Sequence, residues 1–424
     1  MTLGARLVMS ANSVIAGVIV ARLLGAESLG IYVVLTAAVQ ILIQTSGFAL
    51  HLGNTYFTAQ RRQLLPRVAA NSLLFAVLSG GGCIAVALIL SDRILPGVPF
   101  RLALIGLLSV PFQLVTAYSL NLFLAVGDFK RFNFIDLANQ SFVLINALAA
   151  IVLVGGGLEL LVPLNTAAAL AIAIVSAAMV VHNHRPPEDE KESWRIDVEL
   201  LRKVLGYSSK GFILWLSIFL VYRFDLILVN YFNGTADAAV YAVATQYTLF
   251  LLLLPHVVSQ LLQARVSATR DEGGEFTSRA SRVTAALMFV ACIASIPAAY
   301  ILAKIYGNGF ERLPMMIFIL LPGVLFVGIQ SVLAQYFLGT GMPIKIVVIW
   351  LATVAVNVAA NLIIIARYGP FGAAFVSSAT YIGVSIAMMA VFTRSTKRSL
   401  GAVLITSISE LRSLVPAGSR TRIN

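Results

Sequence analysis

An arginine and an aspartate two residues apart, Arg223 and Asp225, stand in the stretch YRFDLILVNYFNGTADAAVYAVATQ, Tyr222 to Gln246. The sequence before and after them is apolar for the length of a membrane span. A charged side chain at the centre of a membrane helix costs roughly 2.5–3.5 kcal/mol on insertion scales, so it is kept where it meets a partner or a water-filled cavity. Lys210 lies on the same expected helix. At about 100° per residue, Lys210 and Asp225 fall within roughly 60° of one face, whereas Arg223 points nearly opposite Asp225. Two readings stand. In one, Arg223 and Asp225 each pair with a polar group on a neighbouring helix and brace the bundle. In the other, Lys210 faces the inner part of a cleft and Asp225 belongs to an outer gate pair.

Further polar residues interrupt apolar runs. Asp136 and Gln140 are four apart and share a helix face, with Asn139 between them and Lys130 and Arg131 just before. That cluster suits either a solvated helix end or an anionic pyrophosphate. Gln40, Gln44 and Asn12 offer hydrogen bonds of the kind that hold sugar hydroxyls, or that join helices in lipid. Small residues at Gly80, Gly81 and Gly82 read as close helix contacts. No Gly-x4-Gly-Lys-Ser/Thr loop is present, so ATP is not the direct energy source. No Ser-His-Asp order and no metal-ligand spacing occurs either; His182 and His184 flank a single Asn and lack further ligands. Cys83 and Cys292, in separate apolar runs, read as free thiols. The chain is expected to be a non-enzyme with no metal and no cofactor.

The elements that must position these residues follow from composition. Hydrophobic residues make up 59% of the 424 and charged residues 11%, with a mean hydropathy of +0.92. Soluble domains carry about 25% charged residues, so this is an integral membrane protein. A span needs about 20 mostly apolar residues. That rule predicts twelve, near 3–24, 30–51, 67–90, 101–126, 132–154, 160–181, 204–230, 236–262, 282–303, 314–339, 345–366 and 371–392. The first is read as a retained helix and not a removed signal peptide. Of the 30 Lys and Arg residues, 22 fall in segments on the side of the N-terminus, six on the other side, and Lys210 and Arg223 within the seventh span. Both termini are therefore expected in the cytoplasm. The net charge of +12 belongs to this loop bias, and no nucleic-acid partner is expected.

The chain also repeats itself. ARLLGAESLGIYVV resembles VNYFNGTADAAVYAV, with Gly25 seven residues before Tyr32 and Gly234 seven before Tyr241, an offset of 209. LFLAVGDFKRF around Gly127 resembles YFLGTGMPIKI around Gly341, and Gly155 matches Gly369, both at an offset of 214. Each half then has six spans, an even number that restores the same orientation. The expected fold is an all-α polytopic membrane protein, two six-helix bundles related by a pseudo-two-fold axis along the membrane normal. The expected divisions are an N-terminal bundle (1–181), a cytoplasmic linker (182–203), a C-terminal bundle (204–392) and a basic cytoplasmic tail (393–424). In the tail, Leu400, Val403, Leu404, Ile408, Leu411 and Leu414 have the spacing of an interfacial helix, and a partly disordered tail is the other reading.

Four stretches carry a family resemblance: ARLLGAESLGIY, LAVGDFKRFN, the Tyr222–Gln246 stretch, and LGTGMPIKIVVIWLATVAVNVAANLIIIARYGPFGAAFVSSATY with its Asn357 and Asn361 pair. In these the chain resembles a polysaccharide (O-antigen, Wzx-type) flippase of the multidrug/oligosaccharidyl-lipid/polysaccharide (MOP) exporter superfamily. The resemblance implies movement of undecaprenyl-diphosphate-linked repeat units across the cell inner membrane by alternating access. It implies a lipid-linked oligosaccharide and membrane lipids as partners; proton or sodium coupling and contact with polymerase or export machinery stay open. Arg22 matches the family's Ala-Arg-x-x-Gly turn, as a cation for a phosphate or as a snorkelling interfacial residue. The implied cleft set is Arg22, Lys210, Arg223, Asp225, Asp136, Gln140, Gln44 and Asn12. Two other classes remain as alternatives, an ion-coupled exporter of small amphipathic compounds and a membrane enzyme of polysaccharide assembly. The first would favour acidic residues deep in the first helices, the second a long outer loop with paired acids, and the sequence has neither.

Overall fold

The computed structural model describes residues 3–183, 194–255, 271, 274–339 and 343–404. Helix dominates them, and no strand occurs among the described residues. In chain order the helices are α1 (Leu3–Gly47), α2 (Leu50–Gln60), α3 (Leu65–Ile89), α4 (Ser91–Ile94), α5 (Phe100–Leu107), α6 (Ser109–Ala125), α7 (Phe129–Ala147), α8 (Gly157–Asn183), α9 (Val198–Asn233), α10 (Thr235–Phe250), α11 (Glu275–Tyr306), α12 (Leu313–Gly339), α13 (Ile344–Thr396) and α14 (Gly401–Leu404). Among the described residues, ten helical stretches are long and apolar enough to cross a membrane. Two of them contain a non-helical glycine, Gly25 in α1 and Gly369 in α13. Each break splits one continuous element into two limbs, and the ten stretches thereby supply the twelve expected crossings.

The internal repeat is visible in the backbone. Gly25 has φ 87° and ψ 171°, and Gly234, 209 residues later, has φ 86° and ψ 175°. That region of conformational space is essentially open to glycine alone, so one turn shape is built twice. Gly155 and Gly369 also share a positive φ, at 71° and 59°. Gly341, the expected counterpart of Gly127, lies outside the described residues, as do His184 and the tail from 405 onward. The glycine triplet differs from expectation. Only Gly80 approaches α6, 3.3 Å from the Cα of Pro111 when a Cβ is added, while Gly81 and Gly82 face open space. Three consecutive residues spread over about 200° of a helix, and one partner helix cannot meet them all.

Two compact units emerge. The first comprises Met1–Val243, Ile301–Leu313 and Val354–Ala373; the second comprises Ala244–Tyr300, Pro314–Thr353 and Ala374–Asn424. In the second unit, Gly323 of α12 lies against Ser378 of α13, whose Oγ accepts from the Gly323 N–H at 3.0 Å. Tyr336, Phe337 and Phe392 form an edge-to-face aromatic cluster. Cys292 is buried there and Cys83 of the first unit is half-buried, both as free thiols. At the end of α13, Arg398 pairs with Glu275 at 3.4 Å, and Val403 of α14 is fully buried.

In the first unit, α9 is tied to α3 by a side-chain latch. Asp197 caps α9 by accepting from the Leu200 N–H at 2.9 Å, and it pairs with Arg67 at 3.1 Å. Asn71 clasps the Asp197 backbone from both sides, donating to its carbonyl at 2.8 Å and accepting from its N–H at 2.9 Å. The Leu200 N–H, then Arg67, hold the Asp197 carboxyl below the usual carboxylate range. A folded pKa below the unfolded one gives stabilisation that is present above the unfolded value, about 3.9, and lost as pH falls through the folded value. Asp197→Ala is expected to cost about 1–2 kcal/mol. Melting of the purified protein checks this: the wild type should lose stability below about pH 4, and the variant should lose less over that interval.

Candidate functional site: a polar cavity and a cluster of turns

A cavity of about 220 Å³ opens inside the first unit between the second limb of α1, α5 with α6, α7 and α8. Its polar groups sit on helical repeats. Thr36 and Gln40 are four apart on α1, and Ser109 and Gln113 four apart at α6, so each pair shares a face. On α7 the neighbours Asn139 and Gln140 reach it; on α8 Asn165 and Thr166 do. Several of these groups are already engaged. Gln113 donates to Ser109 Oγ at 2.9 Å, Asn146 donates to Asn165 Oδ1 at 2.9 Å, and Asn165 donates to the Tyr32 hydroxyl at 3.3 Å. Thr166 donates to the Ile105 carbonyl at 3.0 Å, which seats α8 on α5. Among the described residues, Gln40, Asn139 and Gln140 meet no side-chain hydrogen-bond partner, and no Asp, Glu, Lys or Arg lines the space. Such a cavity can hydrogen-bond an uncharged polar solute; it holds nothing that would neutralise an ion.

A second feature is the gathering of turns at one end of the first unit. Gly30 of α1 lies so close to the chain of Thr235 that an added Cβ would sit 1.8 Å from the Thr235 carbonyl oxygen. Asn230 donates to the Pro96 carbonyl at 2.9 Å, joining α9 to the segment between α4 and α5. Gly97 meets the Thr235 side chain, Gly309 meets Ala26, and Gly369 meets the Asn233 amide. Arg312 and Asp237 approach to 3.9 Å. Five turns, at Gly25, Gly97, Gly234, Gly307–Gly309 and Gly369, are brought together.

The sequence-derived candidates divide between these features. Gln140 lines the cavity, as do its neighbour Asn139 and Gln40; Asp136, Gln44 and Asn12 do not line it, and all three are half-buried. Arg22 joins the turns, where its Nε donates to the Ile305 carbonyl at 2.7 Å and its Nη2 to that of Lys304. A cation on the last carbonyls of α11 is favoured by the helix dipole. Of its five N–H donors, three are left for another ligand. Asp225 is 1% exposed and accepts from the Tyr241 hydroxyl on α10 and from the Leu226 N–H at 2.8 Å. Arg223, two residues earlier, is half-buried. Lys210 is on α9 and its side chain lies outside the described set. Asn361 donates to Asn357 Oδ1 at 3.0 Å within α13, both buried. The sequence reading does not single out Thr36, Gln113 or Asn165, and it uses Tyr241 only as a marker of the repeat; the first two announce themselves by pairing at four residues with Gln40 and Ser109.

A helical membrane protein built of two like-folded halves, with a polar cavity in a bundle, belongs to the architectural class of membrane transporters. The model of the family described as polysaccharide biosynthesis protein matches residues 19–310, and the chain belongs to that family. No match is found among curated protein sequences. Among solved structures, the chain is similar to an inward-facing multidrug resistance MATE family transporter of the MOP superfamily, at 15% identity and TM-score 0.77, covering 94% of this chain and 98% of that one. It is similar to the lipid II flippase MurJ in an inward closed conformation, at 12% identity and TM-score 0.78, covering 97% and 90%. A MOP superfamily transporter from Pyrococcus furiosus, described as having a binding pocket of reverse polarity, is similar at 14% identity and TM-score 0.63, covering 93% and 94%. These likenesses establish the MOP superfamily fold.

Proposed function

We propose that this protein flips a lipid-linked oligosaccharide, an undecaprenyl-diphosphate-linked repeat unit, from the cytoplasmic to the outer leaflet of the cell inner membrane by alternating access. Unaided passage through about 30 Å of hydrocarbon would strip a pyrophosphate and many hydroxyls of water, at several kcal/mol for each unpaired polar group. A polar path between two halves removes that cost while the lipid tail stays among the helices. The observation that carries the reading is the gathered turns. Gly30 against Thr235 closes one end through backbone contact alone, and a carrier that exposes its substrate to one side at a time needs such a closure. Membership of the polysaccharide biosynthesis family supports a saccharide as the cargo, and the charge bias of the loops supports the outer face for the closed end. Arg22, Lys210, Arg223, Asp225, Asp136, Gln140, Gln44 and Asn12 are the residues on which substrate contact is proposed, with Gln140 the member on the cavity.

Reconstitution tests the proposal. The purified chain in liposomes, given a fluorescent undecaprenyl-diphosphate oligosaccharide, is expected to move inner-leaflet label outward several times faster than protein-free liposomes. Transport of small amphipathic cations with no movement of that lipid would replace the reading by the exporter alternative.

A further inference from the structure

The cavity beside Gln140 has chemistry that the charged residues do not share. Its walls are set by bonds already made, Gln113 to Ser109 and Asn165 to Tyr32. Three amides, on Gln40, Asn139 and Gln140, remain unspent. The rise of 1.5 Å per residue puts Gln140 about 16 Å along α7, near the middle of a 30 Å hydrocarbon layer. Gln40 is exposed and Asn139 and Gln140 are half-buried, so all three amides are accessible to a polar occupant of the cavity. Among the described residues no ionised side chain lines the space, so neither a phosphate nor a cation is matched there. Phe142 and Val143 give the same wall an apolar patch. About 220 Å³ is below the roughly 300–1,000 Å³ of sites for drug-sized ligands.

An occupant that is uncharged, rich in hydroxyls on its edge, apolar on one face and no larger than a single ring is a pyranose. We infer that this cavity is a sugar-reading subsite that holds one uncharged pyranose ring of the head group, hydrogen-bonded by Gln40, Asn139 and Gln140 with its C–H face on Phe142. The inference rests on the flippase reading and adds a specificity rule. A neutral hexose is accepted, and a hexuronic acid in that place is rejected because its carboxylate would be buried without a cation.

The test uses the full chain and two measurements. In detergent, methyl glycosides of neutral hexoses are titrated at millimolar concentration by ligand-observed NMR. Wild type is expected to bind at least one, and Gln40→Leu, Asn139→Leu and Gln140→Leu each to weaken it about tenfold, as for one lost hydrogen bond. In liposomes, undecaprenyl diphosphate carrying a neutral hexose, a hexuronic acid or no sugar is compared. Wild type is expected to favour the neutral hexose over the uronate by at least about tenfold, and the leucine variants to lose that preference. A wild type that flips all three lipids alike and binds no glycoside overturns the subsite and leaves the flippase reading standing. Glycoside binding that the variants weaken, with no lipid flipped, keeps the sugar site and overturns the flippase reading. If the leucine variants fail to fold, the wild-type glycoside titration and the neutral-to-uronate ratio still decide.

Discussion

Gly30→Ala is expected to reduce steady-state flipping about fivefold or more while leaving a protein that can be purified. The added Cβ would lie 1.8 Å from the Thr235 carbonyl oxygen, 2.3 Å from its carbon and 2.9 Å from its Cα. All three are backbone atoms, so no rotamer change relieves the overlap, and the turns must part. Overpacking of this kind costs about 1–3 kcal/mol. In the proposed cycle the contact closes one end only, so the cost falls on the conformation with that end shut, and about 1.4 kcal/mol shifts that population tenfold. Labelling of a cysteine placed at Ala26 by an impermeant reagent should rise in Gly30→Ala. A variant that flips lipid at the wild-type rate with unchanged labelling would remove this contact from the transport cycle.

Tyr241→Phe is expected to destabilise the protein by about 1.5–3 kcal/mol, the range for a hydrogen bond to a charged group. Asp225 is buried, and the tyrosine hydroxyl on α10 approaches its carboxylate directly, while the Leu226 N–H holds the other oxygen. Loss of the phenol leaves a buried carboxylate with fewer donors, so the variant should melt lower and express less. Asp225→Asn retains an acceptor for Tyr241 and should suffer less than Asp225→Leu, which removes that acceptor. A double-mutant cycle on Asp225 and Tyr241 should give a coupling of at least about 1 kcal/mol. Additive losses would mean that the two side chains act separately.

Much of the architecture was legible in residue type. Twelve spans followed from apolar length, and the repeat followed from Gly25 with Tyr32 and Gly234 with Tyr241, because a glycine-only backbone shape leaves its mark in sequence. The site was harder. Charge draws the eye to Arg22 and Asp225, but Arg22 is held by carbonyls at the far-off end of α11, and Asp225 by the Tyr241 hydroxyl on the very next helix, a contact that needs the turn at Gly234 to be seen. The cavity is made of neutral amides spread over four helices, each unexceptional alone. Gln40 is grouped in the sequence with Gln44, and Gln140 with Asp136 and Asn139; their meeting with each other and with Asn165, on a lining that leaves Asp136 out, needs the packing of α8 on α5 and α7.

The matched turns at Gly25 and Gly234 permit a comparison across the halves. By the offsets of 209 and 214, Gln40 corresponds to Leu249, Asn139 to Thr353, Gln140 to Val354 and Asn165 to Ala379, while Asp225 corresponds to Ala16. The two halves thus keep one turn shape while their interiors differ: the neutral amides of the cavity lie in the first and the buried acid in the second. A chimera with two copies of either half would keep the turns and lack one of the two polar features.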